Sequence, residues 1–223
     1  MTQPQQHRTY ILDLFSDQST VRDLVKGILH TIFFHRYFPS IRPSLYVPSS
    51  SSTSSSNQTS LPVPLPAILD PPEIAAAIDT HTAALIAQLT APGPTNVPPG
   101  GSRGEIVVQF FDRKRRRTGG YTGGWLGRLG GGGGVQADEE VCWEEWCLQV
   151  VVARPRSEAD RIKVRRAMES SLTKTAHKIV ATVIRDKDHI PPITTSEQNP
   201  FPYRIAVNPK QQQNLDRGFG GWN

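Results

Sequence analysis

Glu105-Ile106-Val107-Val108-Gln109-Phe110-Phe111 and Val141-Cys142-Trp143-Glu144-Glu145-Trp146-Cys147-Leu148-Gln149-Val150-Val151-Val152 decide the fold. Both are rich in β-branched and aromatic residues and read as strands, the second long enough to be bent or bulged. About 25 residues separate them, basic at first and then glycine-rich, too long a connection for a tight hairpin turn. Directly after the second strand, Ser157 with Asp160 three residues on predicts the start of the longest helix. Val164, Met168, Leu172, Ile179, Val180 and Val183 are its expected inward side.

Working outward, Tyr10–Phe15 reads as a first strand, followed by a helix opened by a Thr20/Asp23 capping box. Val21, Leu24, Val25, Ile28, Leu29, Ile32 and Phe33 recur at steps of three and four, which marks one apolar face. This helix should stop before Pro39. Asp70-Pro71-Pro72-Glu73 predicts another helix start, with aspartate as cap and proline in the first turn. Ile74, Ile78, His81, Leu85 and Leu89 form its stripe, and Pro92 and Pro94 end it. Phe201–Val207 reads as a late strand. The order β, α, α, β, β, α, β does not alternate as a doubly wound fold would. It predicts α+β: three main helices packed on a largely antiparallel sheet, with long disordered loop insertions.

One domain over residues 1–223 fits this organisation, with a Pro/Ser-rich insertion at 43–69, a basic then Gly-rich loop at 113–138 and a polar tail at 208–223. Residues 40–69 are expected to be mostly unpacked. Hydrophobic residues make up 37% of the 223, and the deficit is concentrated in these segments, since ten glycines crowd 119–134. The net charge of +5 is equally local. Arg113-Lys114-Arg115-Arg116-Arg117 supplies five positives, and the rest of the chain balances. A whole-surface nucleic-acid footprint is thereby set aside. The run itself has three readings: a solvated loop edge, a nuclear address, or a nucleic-acid contact. The solvated edge is preferred, with contact to an anionic membrane or partner next.

No apolar run approaches the ~20 residues of a membrane span. The N-terminus lacks the apolar core of a secretory signal, and two cysteines build no disulfide framework, so a reducing compartment is expected. No phosphate-cradling or metalloprotease motif is present, and no catalytic, cofactor or metal site is expected. On a regular strand, Cys142 and Cys147 face opposite sides and cannot share an ion. His30 and His35 lie about 140° apart around their helix, which makes no metal pair. Trp143 and Trp146, three apart, face opposite sides unless a bulge intervenes. Trp125, set among glycines, has no regular core position. It either docks back on its own domain or anchors a partner.

Together these segments resemble the autophagy-related protein 101 family. Ile28-Leu29-His30-Thr31-Ile32-Phe33-Phe34-His35-Arg36 is similar to that family's Leu-His-Thr, three apolar, His-Arg segment. Val107–Phe111 before basic residues, Trp143-Glu144-Glu145-Trp146, His189-Ile190-Pro191 and Tyr203-Arg204-Ile205 resemble further shared elements. The resemblance implies a HORMA fold and a non-enzymatic adaptor without cofactor or small-molecule substrate. It implies pairing with the HORMA domain of autophagy-related protein 13 within the autophagy-initiating serine/threonine kinase complex. The implied location is cytoplasmic, at the phagophore assembly site, with membrane contact at most peripheral. Ile28, Leu29, His30, Thr31, His35 and Arg36 would serve either that pairing or the core. The family's Trp-x-Phe finger, which recruits downstream autophagy factors, is matched by Trp125. Gly127 stands in the phenylalanine's place, with Leu126 and Leu129 beside it. The alternative function is a nuclear or chromatin-associated HORMA adaptor whose basic loop, Arg113–Arg117, binds nucleic acid.

Overall fold

A computed structural model describes residues 7–38, 41, 42, 44–48, 61–91, 101–114, 139–193 and 199–209. Their element order is β1 (Arg8–Asp17), α1 (Val21–Arg36), β2 (Ser44–Leu45), β3 (Pro66–Ala67), α2 (Pro72–Thr90), β4 (Ser102–Lys114), β5 (Glu139–Ala153), α3 (Glu158–Arg185) and β6 (Tyr203–Val207). Four strands form one sheet in the order β1-β5-β4-β6. The class is α+β, as expected, but the sheet is mixed rather than largely antiparallel. β4 runs antiparallel to β5 and β6, whereas β1 lies parallel to β5 along its whole length. A parallel neighbour needs a long crossover, which the intervening helices and β4 supply.

Alternation sorts the residues of the sheet between two faces. Leu12 and Leu14 of β1, Trp146, Leu148 and Val150 of β5, and Ile106, Val108 and Phe110 of β4 enter the common core. All seven residues foreseen on the apolar face of α1 are buried there. The other helices differ in detail. In α2 the buried position is Thr82, not His81, whose ring bonds the Ala77 carbonyl of its own helix. In α3 Thr175, Ala176 and Thr182 join Met168, Leu172 and Ile179 inside, while Val180 is exposed. Of the three predicted caps only Ser157 acts as one, accepting the Asp160 N–H. The Asp70 cap is absent, since Pro71 takes that position. At α1 the turn is closed from outside the helix. Asp17 accepts the N–H and hydroxyl of both Ser19 and Thr20, and these bonds hold its carboxyl below the usual range despite partial burial.

The expectation that residues 40–69 are unpacked fails at both ends of the segment. β2 and β3 pair antiparallel, and Tyr46, Leu65, Ala67 and Ile68 are buried against α1. Gly27 makes this approach possible: a Cβ there would sit 2.8 Å from the Leu65 side chain. At the sheet margin β1 would be an open edge, yet α3 covers it with polar side chains. Ser171 Oγ accepts the Phe15 N–H at 2.9 Å, Thr175 donates to the Asp13 carbonyl at 2.5 Å and Lys178 to that of Ile11 at 2.6 Å. The Phe15 N–H and the Asp13 and Ile11 carbonyls, which would otherwise offer a template for a foreign strand, are thus occupied.

Candidate functional site

The pairing register of β4 and β5 slips once. Phe110 lies opposite Glu144 and Phe111 opposite Cys142, which leaves Trp143 as the extra residue of a bulge. This is the bulge that the length of the strand allowed for, and it decides two placements that were stated for a regular strand. Trp143 and Trp146 are both fully buried, Trp143 against Phe110 and Phe201 and Trp146 against Tyr10. Cys142 and Cys147 now share the face of the sheet away from the main core, one opposite Phe111 and the other opposite Val107. Sharing a face makes no metal centre of them. Burial, with the Glu145 carboxylate next to it, pushes the Cys142 thiol up to about 11. A thiol protonated at neutral pH is neither nucleophile nor ligand. Among the described residues no three His, Cys, Asp or Glu side chains are grouped to hold an ion.

The bulge also turns Glu144 inward, where its side chain has no solvent exposure. One carboxylate oxygen accepts from Arg36 Nε at 2.7 Å and from the indole N–H of Trp146. The other lies 2.7 Å from His189 Nε2. Arg36 in turn donates through Nη2 to the Asp186 carbonyl at 3.2 Å. The end of α1, the middle of β5 and the connection after α3 therefore meet on one buried carboxylate. A lone buried charge would cost several kcal/mol, and only this full set of donors makes it tolerable. Sequence reading missed Glu144. Its one local signal was a pair of glutamates set between two tryptophans, since Arg36 and His189 are far away in the chain.

The segment singled out on α1 lies mostly inside. Ile28, Leu29, His30, Thr31 and Arg36 are buried, and His35 is half-buried. Thr31 donates to the Gly27 carbonyl at 2.7 Å. His30 Nδ1 accepts the Ile68 N–H at 3.3 Å, which binds the β3 region to α1. Burial, with Lys26 nearby, lowers the His30 pKa to about 4, so its ring is neutral at physiological pH. Burial likewise lowers His35, with Arg36 adding to the effect.

Of the basic run, Arg113 and Lys114 are the last residues of β4, and the exposed Arg113 guanidinium lies 3.6 Å from Glu140 across the strand pair. Arg115–Arg117 and the finger residues Trp125, Leu126 and Leu129 lie outside the described residues. A cavity of about 500 Å³ opens between Asp13, Phe15, Arg103, Glu105, Gln149 and Ser171. The Ser171 hydroxyl in it is engaged with the β1 backbone. Large aliphatics are left on the outside: Leu45, Val47 and Leu69 around the β2–β3 hairpin, each more than 60% exposed, and Ile162, Val180 and Ile184 on α3.

These observations define an α+β domain whose buried polar groups tie elements together and whose outward faces, among the described residues, carry exposed aliphatics. A family model described as Autophagy-related protein 101 matches residues 13–197. The chain belongs to that family and has an autophagy-related role. A comparison with curated proteins found no match.

Proposed function

We propose that the chain is a non-enzymatic adaptor of autophagy initiation with a HORMA fold. It pairs with the HORMA domain of autophagy-related protein 13, stabilises it within the kinase complex, and works in the cytoplasm at the phagophore assembly site. Recruitment of downstream factors falls to Trp125, with Leu126 or Leu129 as second anchor. The family match over residues 13–197 carries this reading. Leu45, Val47 and Leu69 support it, because aliphatics exposed to this degree at one hairpin are what a partner surface covers. The chromatin reading is not favoured, because the net positive charge is confined to one run and the rest of the chain balances.

Co-purification from starved cells tests the proposal: autophagy-related protein 13 should be the stable partner. Finding chromatin proteins or nucleic acid in its place would overturn it. In the same system Trp125→Ala should leave pairing and melting temperature unchanged while weakening recruitment about thirtyfold, the loss expected for one interface hot spot.

A further inference from the structure

The two margins of the sheet differ in how they are closed. Side chains of α3 engage the backbone of β1, whereas β6, at the other margin, pairs only with β4. Two bonds frame that pairing. The Phe111 N–H donates to the Pro202 carbonyl at 2.8 Å, and the Asn208 N–H to that of Glu105 at 2.9 Å. Antiparallel bonding alternates, so Arg204 and Ala206 also turn their backbone groups to β4. Tyr203, Ile205 and Val207 turn theirs away, and among the described residues no donor or acceptor meets them. Nor does β6 carry the lysine, proline or bulge that guards an exposed edge. Its one charge, Arg204, lies over the Phe111 ring at 4.4 Å and pairs with Glu140.

α2 runs beside this edge and makes a groove of it. Near its end Gln88 bonds the Asn208 side chain. At its start Glu73 lies close enough to Tyr203 to add to burial and Tyr37 in raising that hydroxyl. Around the helix Glu73, Ala77, His81, Ala84 and Gln88 fall within about 80°. Ala77 and Ala84 keep the middle of this flank low, and the His81 ring is bonded to its own helix. The Tyr203 end of the groove is acidic. Asp70 and Glu73 are both exposed there, and neither has an ion-pair partner among the described residues.

We propose that the groove between β6 and α2 docks an extended segment of a partner protein, which adds to β6 as a further strand and carries a basic residue at the Tyr203 end. Main-chain bonds to Tyr203, Ile205 and Val207 supply affinity, and alternate side chains of the segment, lying over Ala77 and Ala84, supply specificity. Charge selects this occupant over a second copy. Paired across a twofold axis, a copy would bring the C-terminus of its own α2, which has no basic residue in its last turn, against Asp70 and Glu73. The negative end of a helix facing carboxylates is unfavourable, whereas a lysine or arginine is matched there.

Two experiments on the full chain test this. In the free protein, amide-resolved hydrogen exchange should find the Tyr203, Ile205 and Val207 amides fast and those of Arg204 and Ala206 slow. Protection of the first three as well would put another stretch of this chain or a second copy on the edge and overturn the proposal. The binding probe is a displayed library of peptides about nine residues long, apolar and polar residues alternating, with lysine at either end. Selected peptides should bind Ile205→Pro about tenfold more weakly, since that change deletes one edge amide and no bond to β4. Methylating alternate amide nitrogens of the peptide makes the same test without altering the protein. One set should abolish binding and the other leave it within about twofold. Glu73→Gln should weaken the lysine peptides by about fivefold at most but measurably. A library without binders overturns the proposal, as do binders indifferent to which amides are methylated or to Glu73→Gln.

Discussion

Glu144 is held by donors from other elements, and the consequence for mutation is asymmetric. Glu144→Ala removes the acceptor and strands the Arg36 guanidinium, itself only 3% exposed. Breaking such a buried pair costs about 3–5 kcal/mol, whereas replacing both charges with apolar groups of similar volume is often near neutral. Urea denaturation should show that loss for Glu144→Ala, and Arg36→Met combined with Glu144→Leu should recover the part due to the stranded guanidinium, while the Trp146 indole and His189 still lack their acceptor. Equal losses in the single and double variants would mean that packing around the bulge, not charge, sets the cost. His30 makes a prediction about pH. Its folded pKa of about 4 lies below the 6.5 of a free histidine, so the unfolded chain binds the extra proton first as pH falls. The stabilisation is complete above about pH 6.5, declines through the window down to about 4, and is flat below it. About 2–3 kcal/mol is at stake. The loss between pH 7 and 4 should shrink by this amount in His30→Gln, when denaturant midpoints of the two proteins are compared.

At the scale of elements, the hydroxyls of α3 occupy the β1 edge. Ser171→Ala with Thr175→Val leaves the Phe15 amide and Asp13 carbonyl without their partners. Each part-buried group so exposed costs about 1–2 kcal/mol, and the bare edge is an aggregation site. The double variant should melt lower and scatter light on heating well before the wild type. Unchanged melting and clear solutions would show that water replaces these bonds at no cost. Helices were the legible part of this architecture. The α1 face could be read because its apolar residues repeat with the helical period over four turns, and period is a local property. Thr20, Asp23 and Asp70 misled because a capping pattern states only which bonds are available. Asp17 took the Thr20 hydroxyl, and Pro71 displaced Asp70. A bulge in β5 was legible from the length of the strand, but its position at Trp143 was not, since that depends on which β4 residue lies opposite. The parallel pairing of β1 with β5 is likewise a choice made between segments more than a hundred residues apart. The hairpin of β2 and β3 hid within a proline- and serine-rich stretch. Leu45-Tyr46-Val47 alternates out, in, out, but the run is too short to outweigh its surroundings.

For the whole molecule, the exposed aliphatics at the β2–β3 hairpin bear on how stable the isolated chain is. Leu45, Val47 and Leu69 cost solvation in the monomer, and covering them contributes to association roughly in proportion to area. A partner that binds only the folded chain stabilises it by mass action, about 2.7 kcal/mol at a hundred times the dissociation constant. For a domain of this size that corresponds to a rise in melting temperature of roughly 5–10 °C. Adding the HORMA domain of autophagy-related protein 13 should therefore raise the transition by this amount and make it depend on partner concentration. Leu45→Ser with Val47→Ser separates the hairpin from other surfaces. Both side chains are exposed, so the free protein should melt within about a degree of wild type, because surface changes are usually worth under 0.5 kcal/mol. The gain on adding partner should shrink sharply. If the partner raises the melting temperature of this variant as much as that of the wild type, pairing occurs elsewhere on the domain. If the free variant itself melts several degrees lower, these residues serve the fold of the hairpin rather than a partner.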